Sequence, residues 1–166
     1  MTPSSQQQYM TFYLGGDLFG INILLVREII QNLDLTTVAK VPPYIAGVLN
    51  LRGQVVTVVD LARRLSFDDN ERGGLGNCIV LKTSSELENN PTSVSLNERT
   101  IADKVGLLVD RIGDVLPIDA KSIIQTPNQS DNRLDKRYVR GVVRLSDQLL
   151  ILLNLSEVLN TETRVE

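Results

Sequence analysis

Apolar residues along this chain come in short runs of strand length, and most runs are bounded by glycine, proline or polar turn signals. Tyr9 to Leu14 is an apolar, aromatic run closed by Gly15-Gly16-Asp17, and Leu18 to Ile23 returns from that turn. This pattern predicts a β-hairpin. Leu24 to Ile30 fits either one helical turn or a continuing strand. Val41-Pro42-Pro43 is expected to be extended, because each proline restricts the residue before it. Ile45 to Arg52 reads as a strand, Gly53-Gln54 as a tight turn, and Val55 to Val59 as a buried β-branched strand. Asp60 is placed to cap a short helix over Leu61 to Leu65.

A second regularity overlies the first. Sliding Tyr44–Leu65 forward by 94 positions lays it without a gap on Tyr138–Leu159. Tyr44, Gly47, Val48, Leu51, Gln54, Leu61 and Leu65 meet identical residues, which is seven of twenty-two, and six of the other positions exchange one aliphatic for another. Asn154 takes the cap position of Asp60, and Glu157 follows three residues later, as a capping box requires. Upstream, Gly20-Ile21 resembles Gly106-Leu107, and Val26-Arg27-Glu28-Ile29 resembles Val109-Asp110-Arg111-Ile112, with three extra residues between the pairs in the first copy. Two copies are too few for a solenoid, which needs at least about three. A pair of similar small barrels or sandwiches, with a cleft between them, fits better.

Three stretches break the strand pattern. Phe67 to Gly76 is acidic, then glycine-rich, and reads as the loop joining the halves. Ser84 to Arg99 is polar, holds Pro91 and reads as a long mobile excursion between two strands. Pro127 to Lys136 is a polar segment where the first copy has Pro42-Pro43. Residues 161–166 read as a frayed tail.

Composition removes several kinds of chemistry. At 166 residues with 42% hydrophobic content, the chain is one domain's worth, or two small units sharing a core. It has no histidine, which excludes Ser-His-Asp and Cys-His catalysis and histidine-bearing metal sites. The single cysteine, Cys78, lies in the apolar run Asn77 to Leu81 and reads as a buried structural thiol. A net charge of −3 gives no general reason to bind nucleic acid or an anionic membrane. The N-terminus lacks signal-peptide features, and no apolar run approaches the ~18 residues of a membrane span. These features are expected of a soluble, cytoplasmic protein.

Three motifs in order resemble the CheW family of chemosensory coupling proteins. Gly47-Val48-Leu49-Asn50-Leu51-Arg52-Gly53-Gln54-Val55-Val56-Thr57-Val58-Val59-Asp60-Leu61 is similar to its G-V-x-N-L-R-G-x-(V/I)-x-x-(V/I)-(V/I)-D-L pattern. Phe12-Tyr13-Leu14-Gly15 with Phe19-Gly20-Ile21-Asn22-Ile23 resembles its opening hairpin. Val105 to Asp110 with Asp114-Val115 resembles its V-G-x-x-V-D segment. The resemblance runs from about Tyr9 to Asn160. It implies a mainly β fold: two five-stranded SH3-like barrels packed side by side on a shared hydrophobic seam, with short helices. A single CheW-like domain is expected over residues 9–160. Its first barrel is expected over about 9–70 and its second over about 77–153, with a helical turn over 155–160 and segments open to exchange between barrels.

The resemblance also implies a function. The protein would be a non-enzymatic adaptor that bridges the cytoplasmic tip of a methyl-accepting chemoreceptor to the regulatory domain of a CheA-type histidine kinase. It would need no cofactor, bind no nucleic acid, insert in no membrane, be monomeric when free, and be recruited to membrane-associated receptor arrays. A coupler for pilus motility, gliding or development is the alternative. A CheA would need a phosphotransfer histidine and an ATP-binding domain, and a CheV a receiver domain; none is expected to fit within 166 residues.

The partner-facing residues are expected among Val26, Glu28, Ile29, Gly47, Asn50, Leu51, Arg52, Gly106, Ile112 and Val115. In the family, groove positions match Val26, Gly47, Arg52, Gly106 and Ile112. Arg52 has two readings: an internal salt bridge, with Glu28 as its partner, or a planar guanidinium offered to a partner with Glu28 holding it. Its counterpart in the second copy is Ser146. Val26, Ile29, Ile112 and Val115 are either core or the floor of a groove for an amphipathic receptor hairpin. Gly47 and Gly141 mark either barrel bends or the close approach of a partner backbone. Asp110 and Asp114 are read as solvated or capping acids.

Overall fold

The computed structural model describes residues 6–66, 76–90, 100–125 and 136–160. It is mainly β, with eleven strands among the described residues. The opening hairpin forms as the pattern predicts. β1 (Gln7–Leu14) and β2 (Asp17–Asn22) are antiparallel and joined through Gly15 and Gly16, at φ 57° and 92°. Two positive φ values in a two-residue loop match the twist of flanking strands, which is why glycines stand there. The ambiguous stretch after it takes both forms in turn. The Asn22 side chain accepts the Leu24 N–H at 2.9 Å and caps a single 3-10 turn, Ile23–Leu25, before β3 (Val26–Ile30).

β4 (Ile45–Leu51) and β5 (Gln54–Asp60) follow, then α1 (Leu61–Arg64), capped by Asp60. The prolines before β4 are not simply extended: Ile45 N–H donates to the Pro42 carbonyl at 3.0 Å and closes a turn with Pro43 at its first inner position, where a fixed φ near −65° suits it. Val55, expected to be buried, is 62% exposed because strand alternation turns it outward beside the hairpin.

β6 (Asn77–Leu81) leads to α2 (Ser84–Glu88), which corrects the reading of Ser84 to Arg99 as a mobile loop throughout. Thr83 and Glu86 form a reciprocal capping box, with the Glu86 carboxylate accepting the Thr83 N–H at 2.8 Å, and Leu87 is buried in the core. Residues 91–99 lie outside the described set, as do 67–75, 126–135 and 161–166, so the other loop expectations fall there. β7 (Val105–Val109), β8 (Arg111–Ile118), the two-residue β9 (Ile123–Ile124), β10 (Val139–Arg144), β11 (Leu149–Leu153) and α3 (Leu155–Val158) complete the chain.

The strands form a six-stranded sheet, β8-β1-β2-β11-β10-β9, and a five-stranded sheet, β3-β6-β7-β5-β4. The N-terminal hairpin thus completes the sheet built from the C-terminal strands, and β6–β7 completes the sheet built from β3 to β5. The two sheets repeat one topology, residue by residue. Gly47 and Gly141 each follow a register shift. Asp60 N–H donates to the Tyr44 carbonyl, and Asn154 N–H to that of Tyr138. Val58 pairs in parallel with Gly106, and Leu152 with Gly20.

Register corrects the upstream part of the repeat. Val26 pairs with Leu81 and Ile29 with Ile79, as Ile112 pairs with Phe12 and Val115 with Met10. Val26 therefore corresponds to Ile112, not Val109. Gly20, Val26 and Ile29 all lie 86 positions before Gly106, Ile112 and Val115, so the three extra residues inferred from the sequence disappear. The two aliphatic runs resemble each other at more than one offset, and only the ladder tells them apart.

Each sheet holds a small apolar cluster of its own: Leu49, Val56, Val58, Cys78, Val80 and Leu108 in one, and Tyr9, Leu18, Ile118, Val143, Leu150 and Leu152 in the other. A larger cluster, including Phe12, Phe19, Leu25, Leu61, Leu107 and Leu155, draws on both and is the shared seam. Arg64 ties the halves together beside it. Its guanidinium donates to the carbonyls of Val158 at 2.7 Å and Asn160 at 2.8 Å, and lies 4.7 Å and 5.3 Å from the ring centroids of Tyr44 and Tyr138.

Candidate functional site: a groove between two edge strands

β3 and β8 are edge strands of the two sheets, and an open groove of about 570 Å³ lies where β3, the β4–β5 turn and β8 meet. Its wall is mixed. Ile29, Ile30, Leu51 and Ile112 supply apolar surface, and Glu28, Gln31, Asn32 and Arg52 supply polar groups.

Arg52 is held there by the turn rather than by a strand. β4 ends at Leu51, and Arg52 and Gly53 form a two-residue loop with φ 51° and 84°. A left-handed conformation costs an ordinary residue roughly 1–2 kcal/mol, and the Asn50 carboxamide offsets part of this by accepting the Gly53 N–H at 2.9 Å. The Arg52 guanidinium donates to the Glu28 carboxylate on β3 at 2.5 Å. With side chains 66% and 28% exposed, such a pair contributes only ~0–1 kcal/mol to stability. Its effect is geometric: it fixes a planar cation beside the apolar part of the groove.

The charge pattern continues outward. Arg27 lies 3.8 Å from the same Glu28 oxygen and forms an ion pair with Glu86 of α2. Burial pulls the Glu86 carboxyl upward, but the Thr83 backbone N–H and the Arg27 charge outweigh it and leave Glu86 below its ordinary range.

Of the expected site residues, the groove brings together Glu28, Ile29, Leu51, Arg52 and Ile112. Asn50 stands next to it and braces the turn. Val26 is half-buried against the shared core, and Val115 is exposed on β8 opposite Met10. Gly47 and Gly106 are covered by the chain itself. A Cβ on Gly47 would stand 2.6 Å from the Thr36 carbonyl oxygen, where Thr36 and Val48 exchange two backbone hydrogen bonds. A Cβ on Gly106 would overlap the Cys78 sulfur. Burial pushes that thiol up to about 12.

The sequence reading missed Ile30, which ends β3, Gln31 and Asn32, which follow it beyond any motif, and the Arg27–Glu86 pair, for which Thr83-x-x-Glu86 was the available signal. Asp60 caps α1, and Asp110 accepts the Gly15 N–H at 2.9 Å and so ties the opening hairpin to the end of β7. No group of three potential metal ligands occurs among the described residues, and no described helix is long and apolar enough to cross a membrane.

Comparison with known proteins agrees with this architecture. The model of the CheW-like domain family matches residues 8–163. The chain is 31% identical over 156 residues to the "Chemotaxis protein CheW" of Klebsiella aerogenes, covering 94% of this chain and 83% of that protein. It is 29% identical over 158 residues to the protein of that name in Rhizobium meliloti, covering 95% and 90%. In fold it matches the crystal structure of the scaffolding protein TtCheW from Thermoanaerobacter tengcongensis with a TM-score of 0.76, at 23% identity, over 98% of this chain and 92% of that one. A duplicated SH3-like fold carrying the Asn50-Leu51-Arg52-Gly53 turn at its inter-sheet groove, matched by the family from end to end, makes this chain a member of the CheW-like domain family.

Proposed function

We propose that this protein is a coupling adaptor without catalysis of its own, which links the cytoplasmic tip of a methyl-accepting chemoreceptor to the regulatory domain of a CheA-type histidine kinase. Residues 9–160 act as one unit, monomeric when free and recruited from the cytoplasm to receptor arrays. Membership of a family whose curated relatives are named chemotaxis proteins supports the pathway. The observation that carries the site is the groove in which Arg52, braced by Glu28, stands over Ile29, Leu51 and Ile112. An amphipathic helix laid in such a groove buries its apolar face on the isoleucines and leucine, and offers a carboxylate or backbone oxygen to the guanidinium.

Calorimetric titration with a soluble receptor cytoplasmic fragment tests this reading. Binding by the wild type that falls at least tenfold, by about 1.4 kcal/mol or more, in a folded Arg52→Ala variant is the expected result. Unchanged affinity would remove the groove from the receptor contact.

A further inference from the structure

Two arginines compete for one carboxylate oxygen. Arg52 Nη2 lies 2.5 Å from Glu28 Oε2, and Arg27 Nε lies 3.8 Å from the same atom. Arg27 is the nearer claimant. It adjoins Glu28 in the chain, whereas Arg52 comes from 24 positions away. Successive strand residues ordinarily face opposite ways, but β3 is irregular here. Val26 pairs with Leu81 and Glu28 with Val80, so Arg27 is the extra residue of a bulge. A bulge re-aims a side chain, and this one brings the two neighbouring charges together.

Glu86 holds Arg27 back. One of its carboxylate oxygens accepts the Thr83 N–H at 2.8 Å, and the other pairs with Arg27 Nη1. Its helix is firmly mounted. Ser84 N–H donates to the Ile101 carbonyl at 2.9 Å, Lys82 N–H donates to the Leu25 carbonyl at 2.9 Å, and Leu87 is buried. Glu86 is therefore a fixed anion beside the start of β3.

The duplication supplies an internal control. The ladders place Gly113 at the position of Arg27, Asp114 at that of Glu28 and Ser146 at that of Arg52. A Cβ on Gly113 would stand 2.5 Å from Thr11 Oγ1, so the second copy has no room for an arginine there. β1, the counterpart of β6, runs through Gly15 and Gly16 directly into β2, with no helix between. The second copy thus keeps the acid and lacks both arginines and the anion of α2 together.

We propose that Glu86 is a positioning residue for the groove: it draws Arg27 off Glu28 and so leaves that carboxylate to hold Arg52. Without the Glu86 charge, Arg27 closes on Glu28 and releases Arg52 to solvent. The consequence for receptor binding rests on the function proposed above; the competition between the arginines does not.

The test uses the full chain with Glu86→Gln, Arg27→Gln and the double variant. Glutamine still serves the capping box, so Glu86→Gln removes the charge and keeps α2. Side-chain ¹⁵N NMR reads the order of the Arg52 Nε–H, and calorimetry reads affinity for a soluble receptor cytoplasmic fragment. Glu86→Gln should mobilise Arg52 and weaken the fragment by about threefold, the scale of an exposed ion pair. Adding Arg27→Gln should restore both, which a merely structural role of Glu86 would not allow. Arg27→Gln alone, which leaves α2 untouched, should keep Arg52 ordered. An ordered Arg52 in Glu86→Gln, a mobile one in the double variant, or a mobile one in Arg27→Gln alone would overturn the proposal. Wild-type fragment affinity in Arg52→Ala would instead remove the receptor reading, and the NMR comparison would still decide the role of Glu86.

Discussion

Arg64 lies in the first copy's helix, and its hydrogen-bond acceptors lie in the second. Replacing it with alanine removes two well-formed charged hydrogen bonds, to Val158 and Asn160, and a third to Glu157 at 3.5 Å, near the limit of such a bond. It also removes a cation from between Tyr44 and Tyr138. Hydrogen bonds to charged groups contribute about 1.5–3 kcal/mol each, and a cation over an aromatic ring about 0.5–1 at exposed sites. The guanidinium is only half-buried, and water can replace it at the freed carbonyls. The low end of the range therefore applies, and the terms are not additive. Arg64→Ala should cost about 2–3 kcal/mol, which for a chain of this size lowers Tm by roughly 4–12 °C. Arg64→Lys keeps the charge but not the planar fork and should recover less than half of the loss. Urea and thermal melts read both variants. A loss below about 0.5 kcal/mol for Arg64→Ala, within the range of ordinary surface substitutions, would refute the view that Arg64 staples the halves.

Other sites give further expectations. Gly106→Ala should destabilise by about 1–3 kcal/mol through overpacking against the Cys78 sulfur, and Cys78→Ala should relieve much of that; additive costs in the double variant would show that the two atoms do not compete. Thr83→Ala should cost about 1 kcal/mol by removing the cap of α2, and an unchanged melt would mean that α2 holds without it. The Cys78 thiol, pushed up to about 12 by burial, should resist iodoacetamide in the native state and react in urea. Its folded pKa lies above the unfolded value of about 8.5, so its stabilising contribution is complete below that pH and is lost as pH rises from there toward the folded pKa. A pH–stability curve identical in Cys78→Ala would contradict this.

What could be read from the chain follows the range of the forces involved. The opening hairpin, the Asp60 cap and the Tyr44–Leu65 repeat are encoded in a few adjacent residues, and all form as expected. Arg52 and Glu28 pair on chemical grounds in the sequence, and the structure forms that pair between β3 and the β4–β5 turn. Segment order in space is another matter. That β1 and β2 complete the sheet of β8 to β11 depends on ladders between residues far apart in sequence, which no local pattern specifies. The offset between Val26 and Ile112 was misjudged because interchangeable aliphatics align at several offsets, whereas hydrogen bonds select one. Arg64 left no mark in the sequence, since its acceptors are backbone carbonyls more than 90 positions away. The α2 capping box was legible in Thr83-x-x-Glu86, but it sat inside a polar stretch read as loop.

The most direct test of the account is receptor-dependent kinase activity, reconstituted from the purified protein, a CheA-type kinase and receptor-containing membranes. Wild-type protein should raise kinase activity and make it responsive to attractant. Folded Arg52→Ala should keep binding the kinase regulatory domain yet fail to confer receptor control, and Glu28→Lys should fail in the same way. Full receptor control by both variants would contradict the account, because the groove beside the Arg52 turn would then not be the route by which the receptor is coupled.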